Sequence, residues 1–434
     1  MKFKIHRGTQ EIGGSCVEVW TESARILLDF GMPLVEGDGE EFNFNKYKDL
    51  AKDQLVEKGV LPNIEGLYED EKPQIDGVII SHAHQDHYGL TSYINSNINF
   101  HLGKATHEII ELTNLFTPQH IEIKKPRYFE KEEPFHIGDF TITPYWADHS
   151  SFDAYSFLIE ANGKSLFYTG DIRSHGRKAK AFHWFLHNSP KKVDYLLLEG
   201  SNIGQEDKTS ISEELIEEKM VDYFNKQDRI NLIYTSGQNI DRLVSIYKAC
   251  LRSGKILVVD VYVATVLKRL AHYAKLPYPS KSYKNLRVIF PYFTSKRLSN
   301  EGNEKILYQF KEYKITKEEV SNNPHNIVMI VRPSMHKDLD HIKGIDGGNL
   351  IYSMWLGYLE KSNTKKFIDY LKKRNFSFQY LHTSGHADMD ALKKMVEAID
   401  PKYIVPIHTF SGSDYKKIFS KPVFELKDGQ TQIV

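Results

Sequence analysis

Short apolar runs separated by glycine and polar turns dominate the first 200 residues of the chain. KFKIHRG, SCVEVW and ARILLDFG have the β-rich, turn-bounded pattern that is typical of strands. The same pattern recurs in DGVIIS, FTITPYWA, residues 155–161, KSLFYTG and VDYLLLEG. The first part of the chain is therefore predicted to consist of strands with helices between them.

The hydrophobic period changes after about residue 204. Over 209–227 the apolar positions Ile211, Leu215, Met220 and Phe224 fall on one side of a helix. Strands such as RINLIYTS, KILVVDV and NIVMIVRPS then alternate with the helical segments NIDRLVSIYKACLRSG and YVATVLKRLAHYA. Because alternating strands and helices form parallel sheets, this segment predicts a sheet of its own.

From about residue 376 the strand-rich pattern returns. FQYLHTS predicts a strand, residues 388–400 a helix, and KYIVPIH another strand. We interpret the chain as an α/β protein in which a second α/β domain is inserted into the first. The predicted parts are 1–203 and 371–434 for the first domain, and 204–370 for the insert.

Composition and charge exclude some classes of protein. Lys plus Arg and Asp plus Glu both number 57, so the net charge is zero with neutral histidines. That balance argues against a broadly cationic nucleic-acid coat but leaves room for a local basic groove. Cys16 and Cys250 lie far apart without a CxxC motif, which favours free thiols in a reducing compartment. No window reaches the roughly 18 apolar residues of a membrane span, so a cytoplasmic, soluble protein is expected.

The stretch GVIISHAHQDHYGL, residues 77–90, carries the strongest chemical signal. His82, His84, Asp86 and His87 follow directly on the apolar run of a predicted buried strand. Four such groups at the end of a buried strand would be costly to desolvate without partners. They are therefore predicted to bind something rather than to serve as ordinary core residues.

Other predicted strands also end in metal-ligand or acid–base side chains. The residues that follow this rule are His149, Asp171, Glu199, His386 and His408. Because ligands of α/β proteins lie at the carboxyl ends of strands, we expect these side chains to converge on one edge.

The spacing suits two neighbouring cations. His82 and His84 are two positions apart and point the same way in an extended turn, so both can bind one ion, with His149 completing the set. Asp171 can bridge two ions with its two oxygens. The second set consists of Asp86, His87 and His408. Nitrogen and carboxylate ligands suit Zn²⁺, our first choice, or Mn²⁺, and two such ions activate a water for a displacement reaction.

With these residues in place, the chain resembles the metallo-β-lactamase superfamily, and within it the β-CASP nucleases of the ribonuclease J group. The matching motifs are HAHQDH, DHS at 148–150, TGD at 169–171, LLLEGS, TSGHAD at 383–388 and VPIH at 405–408. The resemblance covers essentially the whole chain. It implies an αββα sandwich with an inserted α/β β-CASP domain.

The resemblance also implies a reaction. Water activated by two metal ions would hydrolyse a phosphodiester of RNA, with DNA the less favoured polymer, by endonuclease or 5′-exonuclease action. Asp86, Glu199 and His386 are the residues expected to be catalytic. His386 would protonate the leaving oxygen or bind the scissile phosphate, and Glu199 would orient His386 and keep it charged. A homodimer is left open.

Phosphate contacts are expected from a smaller set of residues. Ser384 and Gly385 precede a predicted helix, whose N-terminal amides attract phosphate. Arg332 and Ser334 stand where the family often has a phosphate-binding segment. The basic stretch 173–180 could meet an RNA backbone or be an ordinary solvated loop.

Two other functions remain as alternatives. The first is a hydrolase of this fold that acts on a small ester, thioester or cyclic nucleotide. The second is a non-catalytic RNA-binding subunit. The insert together with Glu199 and His386 favours the nuclease, because small-molecule members generally lack all three.

Overall fold

The structure is a computed structural model that describes residues 1–36, 39–118, 120–205, 210–226 and 228–434. The chain divides into two compact units. The first unit comprises Met1–Thr209 and Gly385–Val434, and the second comprises Ser210–Ser384.

The strands of the described residues are β1 (Lys2–Arg7), β2 (Cys16–Trp20), β3 (Arg25–Leu28), β4 (Gly77–Ile80), β5 (Phe100–Leu102), β6 (Pro126–Tyr128), β7 (Phe135–Ile137), β8 (Phe140–Trp146), β9 (Tyr155–Ala161), β10 (Lys164–Tyr168), β11 (Tyr195–Glu199), β12 (Asn231–Tyr234), β13 (Ile256–Asp260), β14 (Leu286–Ile289), β15 (Ile327–Val331), β16 (Asn349–Tyr352), β17 (Ser377–Tyr380), β18 (Tyr403–Ile407) and β19 (Thr431–Ile433).

The α-helices of the same residues are α1 (Lys52–Glu57), α2 (Gln85–Tyr88), α3 (Lys104–Phe116), α4 (Ala179–Asn188), α5 (Glu213–Lys226), α6 (Ile240–Arg252), α7 (Val261–Leu270), α8 (Tyr292–Asn300), α9 (Lys305–Tyr308), α10 (Lys317–Asn322), α11 (His336–Asp340), α12 (Ser362–Lys373), α13 (Met389–Ile399) and α14 (Tyr415–Ile418). The helix predicted over 209–227 is observed as α5, and positions 209 and 227 themselves lie outside the described residues.

Two sheets form the first unit. One has the strand order β19-β1-β2-β3-β4-β5-β6 and the other the order β18-β11-β10-β9-β8-β7. Phe3, Val19 and Ile26 of the first sheet share one buried core with Phe157 and Leu197 of the second. The two sheets therefore pack face to face.

Strand β11 of the second of these sheets is buried on both faces. On β11, Leu197 faces the core between the sheets, whereas Leu196 packs on the other side with Phe185 of α4 and Met395 of α13. Because successive side chains of a strand point to opposite faces, a strand covered on both sides is apolar throughout. This explains the uninterrupted run of leucines in β11.

The direction of the strands brings the candidate residues to one edge. β10, β11 and β18 are parallel neighbours, so their carboxyl ends meet at the same edge of the sheet. β8 runs in the same direction, because β8 and β10 are both antiparallel to β9. The chain leaves these four strands just before His149, near Asp171, at Glu199 and just before His408.

The second unit has a parallel sheet of its own. Its strand order is β14-β13-β15-β12-β16-β17, and its core includes Leu232, Val258, Met329 and Tyr352. The predicted α/β class is confirmed in both units.

The boundary of the second unit differs from the predicted one. The sequence places the insert at 204–370, whereas the second unit spans Ser210–Ser384, and residues 206–209 lie outside the described part. The predicted boundary puts β17 in the first domain, but β17 pairs in parallel with β16 and extends the second unit's sheet. Strand propensity alone does not reveal which sheet a strand joins.

Candidate metal centre

A sharp turn after β4 places four of the candidate side chains together. β4 ends at Ile80, His82 and His84 follow in the turn, and Asp86 and His87 lie in α2. The backbone of α2 rests against Gly31, where an added Cβ would lie 1.6 Å from the Asp86 carbonyl oxygen. No side chain fits at Gly31, so the glycine fixes how closely α2 approaches the first sheet.

Asp29, at the end of β3, orients this turn from behind. Its Oδ2 accepts a hydrogen bond from His87 Nδ1 at 2.7 Å and from the Tyr168 hydroxyl at 2.7 Å. Its Oδ1 accepts from the Ser81 backbone amide at 2.7 Å. Because Nδ1 of His87 donates to Asp29, Nε2 is the ring nitrogen that is directed away from Asp29.

The candidate ligands form two groups that share one residue. Within each group, one donor atom of every member lies within 4.8 Å of the others. The first group is His82, His84, His149 and Asp171, and the second is Asp86, His87, Asp171 and His408. We call these seven residues the histidine–aspartate cluster.

Asp171 lies between the two groups. Its Oδ2 is 3.5 Å from His82 Nε2 in the first group and 3.2 Å from His87 Nε2 in the second. Its Oδ1 is 3.7 Å from His408 Nδ1. One carboxylate therefore faces nitrogen donors of both groups, as a bridging ligand would.

A third group of possible metal ligands, Glu199, His386 and His408, adjoins the cluster. Oε1 of Glu199, a fully buried residue, lies 3.4 Å from His386 Nδ1, and its Oε2 accepts from the Ser201 amide at 2.9 Å. The Ser201 hydroxyl is 3.0 Å from His386 Nδ1 and 2.9 Å from His408 Nδ1. Glu199 and Ser201 thus hold the His386 ring beside the cluster.

The unpaired polar atoms of the cluster fit a cation. His82 Nε2, His87 Nε2 and Asp171 Oδ1 are buried without a hydrogen-bond partner among the described residues. Buried polar groups are normally satisfied. In addition, His84 Nδ1 and His149 Nε2 face each other at 3.1 Å. Imidazole nitrogens and carboxylates that converge in this way suit a divalent metal ion.

Burial keeps the histidines of the first group neutral. It lowers the pKa of His82 and His149 well below their ordinary value, and that of His84 to about 4. Neutral imidazole is the form that binds metal ions, so these side chains need not lose a proton on binding at neutral pH.

The second group is dominated by charge instead. Burial opposes the charged form of His87, but the carboxylates of Asp171, Asp29 and Asp86 outweigh it and raise the pKa of His87 well above its ordinary value. Burial likewise opposes the charged form of Asp86, but His87 and His408 lower its pKa to about 2.

His386 also keeps its proton. Burial would lower its pKa, but the negative charges of Glu199 and Asp171 raise the pKa of His386 to about 9. Its side chain is 23% exposed, whereas Asp171 is 2% exposed, so this proton lies on the accessible side of the cluster. A protonated imidazole in this position can donate a proton or bind an anion.

The predicted phosphate contacts divide between the two units. Gly385 belongs to the first unit, where an added Cβ would lie 2.7 Å from Ser150 Oγ and 3.5 Å from His149 Cε1. Ser384, Arg332 and Ser334 belong to the second unit. Arg332 Nε lies 2.9 Å from Asp260 Oδ2, so a carboxylate already faces that guanidinium. Phosphate binding by these four residues stays a prediction.

The basic stretch 173–180 is not an exposed strip throughout. Arg173 is fully buried, and its Nε lies 3.1 Å from Asp148 Oδ1. Asp148 also accepts from the Gly176 amide at 2.9 Å. Arg173 therefore holds the loops that carry His149 and Asp171 and is not accessible to an RNA backbone, whereas RNA contact by the rest of the stretch stays a prediction.

Sequence reasoning missed Asp29 and Ser201. Asp29 follows the apolar run of β3, so the rule that identified the other strand-end residues would have found it as well. Ser201 carries no such signal, because its role depends on His386 and His408, which are distant in sequence.

Comparison with known proteins agrees with this geometry. Residues 58–211 match the beta-lactamase superfamily domain, and residues 365–410 match the Zn-dependent metallo-hydrolase RNA specificity domain. These matches make the chain similar to the metallo-β-lactamase superfamily. Within that superfamily it is ribonuclease J-like, as the sequence resemblance predicted, and the predicted sandwich with an inserted domain agrees with both matches.

Similar proteins differ in how much of their length is shared. The chain is 26% identical over 420 residues to ribonuclease J of Helicobacter pylori strain 26695, covering 92% of this chain and 55% of that protein. It is 21% identical over 470 residues to Integrator complex subunit 11 of Danio rerio, covering 98% and 73%. The chain thus spans about half the length of the Helicobacter proteins that it matches.

A solved structure shares the fold. The crystal structure of a protein of unknown function from Enterococcus faecalis V583 matches with a TM-score of 0.78 and 20% identity. The match covers 100% of this chain and 99% of that chain. In the described part of our chain, no helix is both long enough and apolar enough to cross a membrane.

Proposed function

We propose that the chain is a metal-dependent phosphodiester hydrolase that acts on RNA and uses two divalent ions, with Zn²⁺ as the first choice and Mn²⁺ as the second. The observation that carries this proposal is the bridging position of Asp171 between two convergent groups of donors. The RNA specificity domain matched at residues 365–410 and the ribonuclease J relatives support RNA as the substrate.

The proposal assigns a role to each part of the cluster. His82, His84, His149 and Asp171 would hold one ion, and Asp86, His87, Asp171 and His408 the other. When bound, such a pair of ions lowers the pKa of a water molecule towards about 7 and stabilises negative charge on the oxygens of a displacement reaction.

His386 then supplies the proton. Its protonated ring would donate to the oxygen that leaves phosphorus, or would bind the scissile phosphate. Glu199 keeps that proton in place through its charge and fixes the ring through its 3.4 Å contact with Nδ1. Asp29 holds His87 in the tautomer that its ligand role requires.

A direct experiment separates the candidate functions. Purified protein is incubated with Mn²⁺ or Zn²⁺ and with 5′-labelled RNA, 5′-labelled DNA or a generic phosphodiester. Mononucleotides released from RNA would indicate exonuclease action, and discrete fragments endonuclease action. Hydrolysis of the small ester alone would defeat the proposal.

A pair of histidine variants tests the assignment of His386. We expect His386→Ala to lose most RNA hydrolysis while keeping the metal content of the unchanged protein, because the proposed ligands remain. His183→Ala, at an exposed histidine of α4, is the matched control and should change neither quantity. Loss of metal in His386→Ala would mean that His386 is a ligand rather than a proton donor.

A further inference from the structure

Two neighbouring aromatic rings are exposed at the start of α8 in the second unit. The relative exposure is 57% for Tyr292 and 45% for Phe293. Their ring centroids are 5.5 Å apart and their planes meet at 72°. Single exposed aromatic residues are ordinary on protein surfaces. Two adjacent rings held edge to face form a larger apolar surface that calls for an explanation.

A lysine accompanies each ring. Lys296 Nζ lies 5.9 Å from the Tyr292 ring centroid, and Lys337 Nζ lies 5.2 Å from that of Phe293. These distances are within the range of cation–π contacts. We call Tyr292, Phe293, Lys296 and Lys337 the aromatic platform.

The positive charge of the platform is not cancelled locally. Among the described residues, no carboxylate forms an ion pair with Lys296 or Lys337. The acidic residues nearby have other partners, since Glu301 lies 3.8 Å from Arg297 and Asp338 lies 2.7 Å from Lys317. Both platform ammonium groups therefore remain available to an anionic ligand.

One buried carboxylate ties the two halves of the platform together. Asp338 is 1% exposed and belongs to α11, which also carries Lys337. Its Oδ1 accepts a hydrogen bond from the backbone amide of Tyr292, the first residue of α8, at 3.1 Å. Because this bond joins α8 to α11, the rings and both lysines are positioned before any ligand arrives, which lowers the cost of binding.

We propose that the aromatic platform binds single-stranded RNA, with bases stacked on Tyr292 and Phe293 and phosphates paired with Lys296 and Lys337. Exposed rings interleaved with cations are the usual composition of sites that hold single strands. Lysine is depleted at the centres of protein–protein interfaces, so its presence beside both rings favours nucleic acid over a protein partner. The choice of RNA as the polymer rests on the proposed function.

Binding of RNA to the full-length, metal-loaded protein tests the proposal. The probe is a fluorescent single-stranded RNA of about 12 nucleotides with phosphorothioate linkages, which slow hydrolysis. Since the double variant Tyr292→Ala/Phe293→Ala removes stacking for two bases, it should raise the Kd about 30-fold or more. Tyr308→Ala is the matched control at an exposed tyrosine of α9 and should bind as the unchanged protein does.

The dependence of RNA affinity on salt concentration tests the role of the two platform lysines. Each neutralised phosphate of a single strand contributes about 0.7 to the slope of log Kd against log salt concentration. We expect the double variant Lys296→Gln/Lys337→Gln to reduce that slope by about 1.4. Lys281→Gln/Lys366→Gln, at two exposed lysines elsewhere in the unit, should leave the slope unchanged.

Several results would contradict the proposal that the aromatic platform binds RNA. These are unchanged RNA affinity in the ring variant, an equal loss in Tyr308→Ala, or an unchanged salt slope in the platform lysine variant. Melting temperatures equal to that of the unchanged protein exclude misfolding as the cause of any loss. If the protein binds RNA through the platform but does not cleave RNA with Mn²⁺ or Zn²⁺, only the proposed ribonuclease function is wrong. If the unchanged protein cleaves RNA but Tyr292→Ala/Phe293→Ala binds RNA with unchanged affinity, only the proposed role of the platform is wrong.

Discussion

At the scale of single residues, Asp29 determines which nitrogen of His87 faces the cluster, although Asp29 belongs to neither group of proposed ligands. Carboxylates that orient metal-binding histidines in this way typically change metal affinity by 10- to 100-fold when they are replaced. Asp29 has a backbone φ of 58°, a left-handed conformation that asparagine also tolerates.

We therefore expect Asp29→Asn to keep the backbone but to weaken Zn²⁺ binding by about 10- to 100-fold, measured by competition with a chelating dye. Asp400→Asn is the control, because Asp400 is also left-handed, with φ of 52°, but lies at the end of α13 and pairs with Lys421. Equal zinc affinity in both variants would contradict the orienting role of Asp29.

Glu199 is expected to set the protonation of His386. Removing its negative charge disfavours the charged imidazole, so in metal-free Glu199→Gln the pKa of His386 should fall from about 9. The measurement is an NMR titration of the histidine resonances, with that of His386 assigned by its absence in His386→Ala. Glu397→Gln, at an exposed carboxylate of α13, should leave that pKa unchanged. A His386 pKa that stays near 9 without Glu199 would mean that other charges hold the proton.

At the scale of helices and strands, two ion pairs join α5 to α6 in different surroundings. Arg242 is fully buried, donates to Glu213 Oε1 at 2.9 Å, and reaches the backbone of Ser353 just after β16. Arg252 lies 3.0 Å from Glu217 on the same pair of helices, but its side chain is 50% exposed.

Because of this contrast, the two arginine substitutions should lower the free energy of unfolding by different amounts. Arg242→Met should lower the free energy of unfolding of the second unit by about 3–5 kcal/mol, because Glu213 is left buried without its cation. Arg252→Met should cost less, because the half-exposed Arg252 is already partly solvated and the Glu217 side chain, 11% exposed, keeps some access to water. Chemical denaturation, followed by hydrogen exchange of amides in β12, measures both. Similar losses in the two variants would contradict the account.

The sequence predicted elements better than it predicted their assembly. Apolar runs such as that of β11 identify strands because burial on both faces leaves no polar position. Pairing partners are not encoded locally, and for that reason β17 was assigned to the first domain, although it extends the sheet of the second unit. Arg173 shows the same limit, since its residue type suggests a surface whereas Asp148 holds it in the interior.

At the scale of the whole molecule, the sequence predicted that distant strand ends would converge, and the structure brings the donors of each group within 4.8 Å of one another. Part of this convergence has a simple cause, because β10, β11 and β18 are parallel neighbours that end at one edge of their sheet. The four residues that follow β4 belong to the other sheet and meet them because the two sheets pack face to face. The same rule would have located Asp29 but not its hydrogen bond to His87, and it gives no signal for Ser201, since these roles depend on contacts between side chains of different elements. That the cluster binds metal ions stays a prediction.

The number of metal ions bound by each chain tests the central claim most directly. Elemental analysis after equilibration with Zn²⁺ and removal of free metal should give two ions per chain, because two groups of donors share Asp171. Asp171→Ala should retain less than one ion on average, since it removes a ligand from both groups, whereas His183→Ala should keep both. One ion or none in the unchanged protein, or full occupancy in Asp171→Ala, would contradict a two-ion centre bridged by this carboxylate.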